Sequence, residues 1–244
     1  MTYLGSPTLT IDHPEAHTAT APSALDHVAL RAADPDGVAA FLCDHLGMHV
    51  VDGRDGFRLV GAEGARGKVA VSAAEGRREP DVLSRVVLRV SDLEGALAAL
   101  PKGLAIDRPT PDIATFEGPE GLGLGLTPVL GGVDYDIDHV VLRVAAPEHT
   151  AAALTELGFV PRGGALHVAD KQVRLEQQPM PPSDRPLLRH LALVVESVEA
   201  VEAQARRRGL AVDRTDGAGL GLLVPGFEPI RLEYMEKERA FATA

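Results

Sequence analysis

The sequence predicts an α+β fold of four βαβββ modules laid end to end, and three observations carry that prediction. A short strand-like stretch recurs four times at a regular pitch; each copy runs at once into a helix signal; each helix is followed by short strand signals punctuated by glycine. The third copy is Ile137-Asp138-His139-Val140-Val141-Leu142-Arg143-Val144, with near-copies at 25–31, 84–90 and 188–195. Aligning the leading polar residue gives a column of His27, Arg85, His139 and His190, spaced 58, 54 and 51 residues apart.

Strict alternation makes each copy a strand. Val140, Leu142 and Val144 share one face, and His139, Val141 and Arg143 share the other. The first face is aliphatic in every copy (Val28/Leu30, Val86/Leu88/Val90, Leu191/Leu193/Val195) and is expected to pack on a helix. The second opens with His or Arg and continues with small or aliphatic residues, which suits a cavity lining.

The helices follow from their caps. Asp34-Pro35 places an N-cap before a proline at the first helical position, leading through Val38, Phe41 and Leu42 to Gly47. Ser91-Asp92-Leu93-Glu94 reads as a capping box for a helix that stops at Pro101-Lys102-Gly103. Pro147-Glu148 opens a third, ending at Leu157-Gly158. Ser197 caps a fourth, which closes on Arg206, Arg207 and Arg208, where the helix dipole favours basic side chains. Module boundaries fall near 24–76, 83–130, 136–179 and 187–236. The linker at 128–136 is expected to split the chain into an N-terminal domain, 24–130, and a C-terminal domain, 136–236, between a disordered leader at 1–23 and a tail at 237–244.

Composition bounds the partners. A net charge of −11 argues against nucleic acid or an anionic membrane, and no apolar run has the length of a membrane span. The single cysteine, Cys43, excludes an internal disulfide framework and fits a reducing compartment. These features predict a cytoplasmic protein, monomer or homodimer, acting on a small molecule.

The chemistry-bearing residues lie on the same strands. Val173-Arg174-Leu175-Glu176 and Ile230-Arg231-Leu232-Glu233 are almost one tetrapeptide, matched in the first half by 69–72 and 124–127. With the first and third residues apolar, the fourth points to the cavity side. The second half then offers His139, Glu176, His190 and Glu233, and the first half offers His27, Ser72, Arg85 and Thr127. A single strand histidine is usually a satisfied polar residue, and a last-strand glutamate usually faces water. Two of each in register across repeats point instead to a divalent first-row metal: Fe, Mn, Ni, Co or Zn. His27 stands in the column without partners and reads as a vestige. Arg174, Arg231 and His167 are candidate substrate-binding side chains. The 121–125 glycine run lacks the Lys-Ser/Thr of a phosphate loop.

At these residues the chain resembles the vicinal oxygen chelate superfamily, which includes glyoxalase I, methylmalonyl-CoA epimerase, fosfomycin and bleomycin resistance proteins, and extradiol ring-cleaving dioxygenases. The resemblance covers nearly everything after residue 24. It rests on the Asp-His-Val-x-Leu-Arg-Val starts, the Leu-Gly-Met and Leu-Gly-Phe helix ends, and the closing Pro225-Gly226 to Leu232-Glu233-Tyr234. It implies two tandem domains, each a pair of modules curled into an open barrel, with metal ligands at His139, His190 and Glu233. An empty N-terminal pair beside a metal-bearing C-terminal pair looks like an extradiol dioxygenase, which holds Fe(II), O2 and a catecholic substrate together. Those enzymes also carry a histidine and a tyrosine shortly before the final glutamate. Here 213–224 has neither, its notable side chains being Arg214, Thr215 and two aspartates. Glu176 as a fourth ligand would instead resemble a glyoxalase- or epimerase-type lyase or isomerase. A resistance protein that only sequesters its ligand is the remaining alternative.

Overall fold

In this computed structural model, which describes residues 19–62, 67–79, 81–178, 183–214, 219–225 and 229–237, every repeated stretch becomes the first strand of a βαβββ module. The first module runs β1 (Ala24–Ala32), α1 (Pro35–His45), β2 (His49–Arg54), β3 (Phe57–Gly61), β4 (Lys68–Ala73). The second is β5 (Leu83–Val90), α2 (Leu93–Ala98), β6 (Ile106–Thr110), β7 (Ile113–Glu117), β8 (Gly123–Pro128). The third is β9 (Ile137–Val144), α3 (Pro147–Glu156), β10 (Val160–Arg162), β11 (Ala165–Val168), β12 (Lys171–Gln177). The fourth is β13 (Leu188–Val195), α4 (Val198–Arg207), β14 (Val212–Arg214), β15 (Leu220–Leu223), β16 (Arg231–Glu236). Most of the expected leader and tail, together with Thr215 and Gly226, lie outside the described residues.

The caps act as their chemistry requires. Asp34 Oδ1 accepts from Gly37 N at 2.8 Å, and Ser197 Oγ accepts from Ala200 N at 3.1 Å. In the expected capping box the cap is Asp92, accepting from Gly95 N at 3.0 Å, while Ser91 is drawn off to Asp134 at 2.7 Å. Gly47 ends α1 with φ of +57°, a conformation glycine adopts without strain.

The aliphatic strand faces bury as their alternation demands: Val28, Leu30, Val140, Leu142, Leu191 and Leu193 all belong to one apolar core. Val38, Ala39 and Leu42 of α1, and Val198, Val201 and Ala205 of α4, pack into the same core. The helix-bearing sides of the sheets meet there. Phe41 of α1 lies 6.4 Å from Phe116 of β7, and Tyr234 Oη of β16 donates to the Leu157 carbonyl beyond α3 at 3.4 Å. No helix among the described residues is long and apolar enough to cross a membrane.

The pairing of modules differs from the expected halves. One eight-stranded sheet has the order β14-β15-β16-β13-β1-β4-β3-β2, and the other β10-β11-β12-β9-β5-β8-β7-β6. The first module therefore pairs with the fourth through the antiparallel β1–β13 seam, and the second with the third through β5–β9. The boundaries 24–130 and 136–236 do not separate the sheets; each half contributes one module to both. Four near-identical first strands offer equivalent partners, so strand sequence leaves the choice open. Connections outside the strands accompany it. The 128–136 linker joins β8 to β9 within one sheet, and Tyr135 N donates to Arg89 O on β5 at 2.6 Å. Asp81, before β5, accepts from Leu83 N at 3.0 Å and from Leu188 N of β13 at 2.7 Å, tying the two sheets at one buried carboxylate.

This topology has a direct consequence for fragments. A chain of residues 24–130 or 136–236 leaves both of its first strands without their seam partners. Each is expected to lack cooperative unfolding and protected strand amides, read by denaturant titration and hydrogen exchange. A half that melts cooperatively as a monomer would show instead that β1 with β5, or β9 with β13, can form a seam when the full-chain partners are missing.

Candidate functional site

On the face of the first sheet away from the helices stand His27, Ala29 and Arg31 of β1, Ala70 and Ser72 of β4, His190 and Ala192 of β13, and Arg231 and Glu233 of β16. Alternation with the core residues puts them there. Register brings three together. Glu233 pairs with Ala192, and Ala192 with His27; on the adjacent row Ala70 pairs with Ala29, and Ala29 with His190. The two alanines between the polar residues leave room for the longer side chains to converge. His27 Nε2 and His190 Nε2 are 3.4 Å apart, and His190 Nε2 lies 3.1 Å from Glu233 Oε2.

The surroundings orient these donors. His27 Nδ1 lies 2.8 Å from Asp26 Oδ2, and a carboxylate can only accept, so Nδ1 carries the hydrogen and Nε2 presents its lone pair toward His190. β1 has a register irregularity between Leu25 and His27, the kind of bulge that re-aims a side chain. Asp26 is in turn held by Lys68, whose Nζ is 3.0 Å from Oδ1; the two are 3 % and 1 % exposed. Burial raises the Asp26 pKa, but the His27 hydrogen bond and charge, with Lys68, outweigh it and hold the carboxyl below its ordinary range. Burial lowers the His190 pKa to about 2, helped by the charges of His27, Arg189, Arg231 and Arg31. His190 thus keeps a neutral ring at physiological pH.

The expected quartet is divided between the sheets. His190 and Glu233 meet, whereas His139 and Glu176 lie on the second sheet. His139 is 2 % exposed with Nδ1 2.7 Å from Asp138 Oδ2, and Glu176 is paired with Arg85 and hydrogen bonded by Ser84 at 3.3 Å. The two glutamates are also not equivalent in register. Glu233 pairs with Ala192, two residues beyond His190, but Glu176 pairs with Arg143, four residues beyond His139 and about 13 Å along the strand. Arg174, not Glu176, occupies the place of Glu233. The other candidates are engaged locally: Arg174 donates to Gln172 Oε1 at 3.0 Å, Arg231 pairs with Asp213 at 2.9 Å, and His167 Nε2 contacts the Arg162 carbonyl at 3.2 Å. His27, set aside in the sequence as a vestige, is the residue that faces His190. Its place in the repeat column was the available signal.

Among the described residues no group of three or more His, Cys, Asp and Glu side chains stands ready-made as a metal site. The His27–His190 and His190–Glu233 contacts nevertheless have the donor chemistry and spacing of neighbouring metal ligands. Two ligands about 2.1 Å from an ion and at a right angle lie about 3 Å apart, close to the 3.1 and 3.4 Å observed. The Asp26–His27 contact is the outer hydrogen bond that metal-bound histidines usually make.

Residues 24–111 match the family model of the Glyoxalase/Bleomycin resistance protein/Dioxygenase superfamily. Over these residues the chain is similar to that superfamily. Solved structures carry the same architecture over the rest of the chain. A Bacillus subtilis protein described as a candidate dioxygenase superposes with a TM-score of 0.74 at 16% identity, over 92% of this chain and 88% of its own. Glyoxalase I from Zea mays gives 0.70 at 16% identity over 88% and 93%. The cppA protein from Streptococcus pneumoniae gives 0.57 at 11% identity over 86% and 96%. At these identities the likeness is one of fold. No protein of curated function matches by sequence. Members of the superfamily commonly use divalent metals.

Proposed function

We propose that this chain is a member of that superfamily and a metal-dependent enzyme acting on a small oxygen-chelating molecule, with His27, His190 and Glu233 as ligands, and that it is best read as a non-haem Fe(II) dioxygenase of the extradiol type. The observation that carries this reading is the size of the donor set. The position related to Glu233 across the β1–β13 seam is Ala70, so among the described residues the cluster supplies two imidazoles and one carboxylate and no fourth ligand. Such a face leaves open positions for two neighbouring substrate oxygens and for O2, and it favours iron over Zn, Ni, Co or Mn. When bound, the metal would polarise the substrate's oxygens and bring O2 beside them. The chain's own contribution is to hold the donors in place. Asp26 fixes the His27 tautomer, burial keeps His190 neutral, and Arg31, Arg189 and Arg231 supply positive charge toward an ionised substrate oxygen.

A lyase or isomerase of the glyoxalase type is the second reading. It draws on the absence of histidine and tyrosine from the sequence at 213–224, where a dioxygenase of this type carries its proton-transfer groups.

Metal content after anaerobic loading with Fe(II) tests the site, and oxygen uptake with catechols tests the chemistry. The wild type and Glu176→Gln are expected to hold about one ion per chain, and Glu233→Gln to lose it. A wild type that takes up no metal, or equal loss in both variants, would count against the site. Metal binding with no oxygen uptake would leave the lyase or isomerase reading.

A further inference from the structure

The second sheet lines, with Arg85 of β5, Thr115 of β7, Gly123 of β8 and Arg143 of β9 among others, a cavity of about 490 Å³, a size usual for small-molecule sites. Its seam repeats that of the first sheet. Arg85 lies opposite Val141 and His139 opposite Val87, as His27 lies opposite Ala192 and His190 opposite Ala29. The last-strand places beside them are Gly125 and Arg174, where the first sheet has Ala70 and Glu233. Arg85 and Arg174 stand where the first sheet has His27 and Glu233, and of the three donors only the imidazole of His139 is kept.

Arg77, Arg78, Arg85 and Arg143 all line the cavity, together with apolar walls that include Phe116 and Leu187. Their charges are unequally matched. Arg85 is paired with Glu176, and Arg78 donates to the carbonyls of Glu75 and Gly76. Arg143 Nε is enclosed without a hydrogen-bond partner, and Arg77 is exposed at the edge. Of the acidic lining residues, Glu79 is bound by Ser183 and Arg185, and Glu120 Oε1 accepts from Asp34 N while its Oε2 is enclosed and unpartnered. Asp107 and Glu117 are exposed on the β6–β7 hairpin. The 121–125 glycine run has a packing role here: a Cβ on Gly123 would sit 2.0 Å from the Ser84 carbonyl oxygen, so glycine lets β8 close on β5.

We propose that this cavity is a second, metal-independent binding site that takes a small organic anion with an apolar body, its carboxylate held by Arg77 and Arg143. Guanidinium forks match carboxylates in charge and geometry, and an enclosed N–H without an acceptor gains most from one. The Glu120 Oε2 acceptor can receive a hydroxyl or amine hydrogen of the same ligand. The site is independent of the His27–His190–Glu233 cluster, which lies on the other sheet.

Calorimetric titration of the full chain in EDTA tests the assignment, with 1-naphthoate as probe and 1-naphthylmethylamine as its cationic counterpart. The naphthoate is expected to bind one to one. Arg143→Gln and Arg77→Gln are each expected to weaken binding at least tenfold, with His190→Ala leaving it unchanged and the amine binding at least tenfold more weakly. Arg77 is exposed and outside every strand, so its variant remains decisive if Arg143→Gln does not fold. Absence of naphthoate binding, equal binding of the amine, or loss in His190→Ala with no change in Arg77→Gln would overturn it.

Discussion

Replacing His27 with alanine is expected to abolish metal binding, while the same change at His139 leaves it intact. The sequence alone argues the opposite, because His139 and His190 share a half of the chain with both glutamates. The structure puts His27 Nε2 3.4 Å from His190 Nε2 and leaves His139 on the other sheet beside Asp138. Losing one of three donors is expected to cost more than the 10–100-fold in affinity typical of outer hydrogen-bond partners. The readout is metal content, together with the stabilisation on adding Fe(II). At a hundredfold excess over Kd that stabilisation is about 2.7 kcal/mol, and His27→Ala should show none of it. Metal retained by His27→Ala and lost by His139→Ala would return the site to the second half of the chain.

Asp26→Ala is expected to destabilise the fold by about 3–5 kcal/mol, because it removes the carboxylate paired with Lys68, a cation at 1 % exposure. The variant is also expected to bind metal about 10–100-fold more weakly, since His27 loses the carboxylate that fixes its tautomer. Adding Lys68→Met should recover most of the stability and none of the metal affinity, because an apolar side chain needs no counter-charge. The pH dependence follows from the lowered Asp26 pKa. A carboxyl held below its ordinary value contributes stability that is present above pH of about 4 and lost as pH falls through the lower, folded value. His190, at about 2 against an ordinary 6.5, adds a separate loss that begins as pH drops below 6.5, because the unfolded chain takes a proton the folded site refuses. Both proteins share that second loss. Urea titrations at pH 7, 5 and 3.5 should therefore show the gap between wild type and Asp26→Ala narrowing only below about pH 4. A gap under about 1 kcal/mol at pH 7 would mean that Lys68 is not relying on Asp26.

The sequence by itself determined the modules. Alternation gave all four first strands and their buried faces, and Asp34, Ser197 and the glycines after the helices marked most of the helix ends. It also placed His190 and Glu233 on one face of adjoining strands, and they do meet. Two things were decided only by tertiary structure. The first is which modules pair. Val28/Leu30, Val86/Leu88, Val140/Leu142 and Leu191/Leu193 present interchangeable apolar faces, so nothing local distinguishes a β1–β5 seam from the β1–β13 seam that forms. The second is the register of the last strands. Side chains repeat with a period of two along a strand, so sliding 173–176 by two residues against 230–233 keeps every apolar residue in the core and every polar one outside it. Alternation is blind to that slip. The hydrogen-bonded ladder fixes it, placing Arg174 where Glu233 stands and carrying Glu176 one repeat further along, to Arg85.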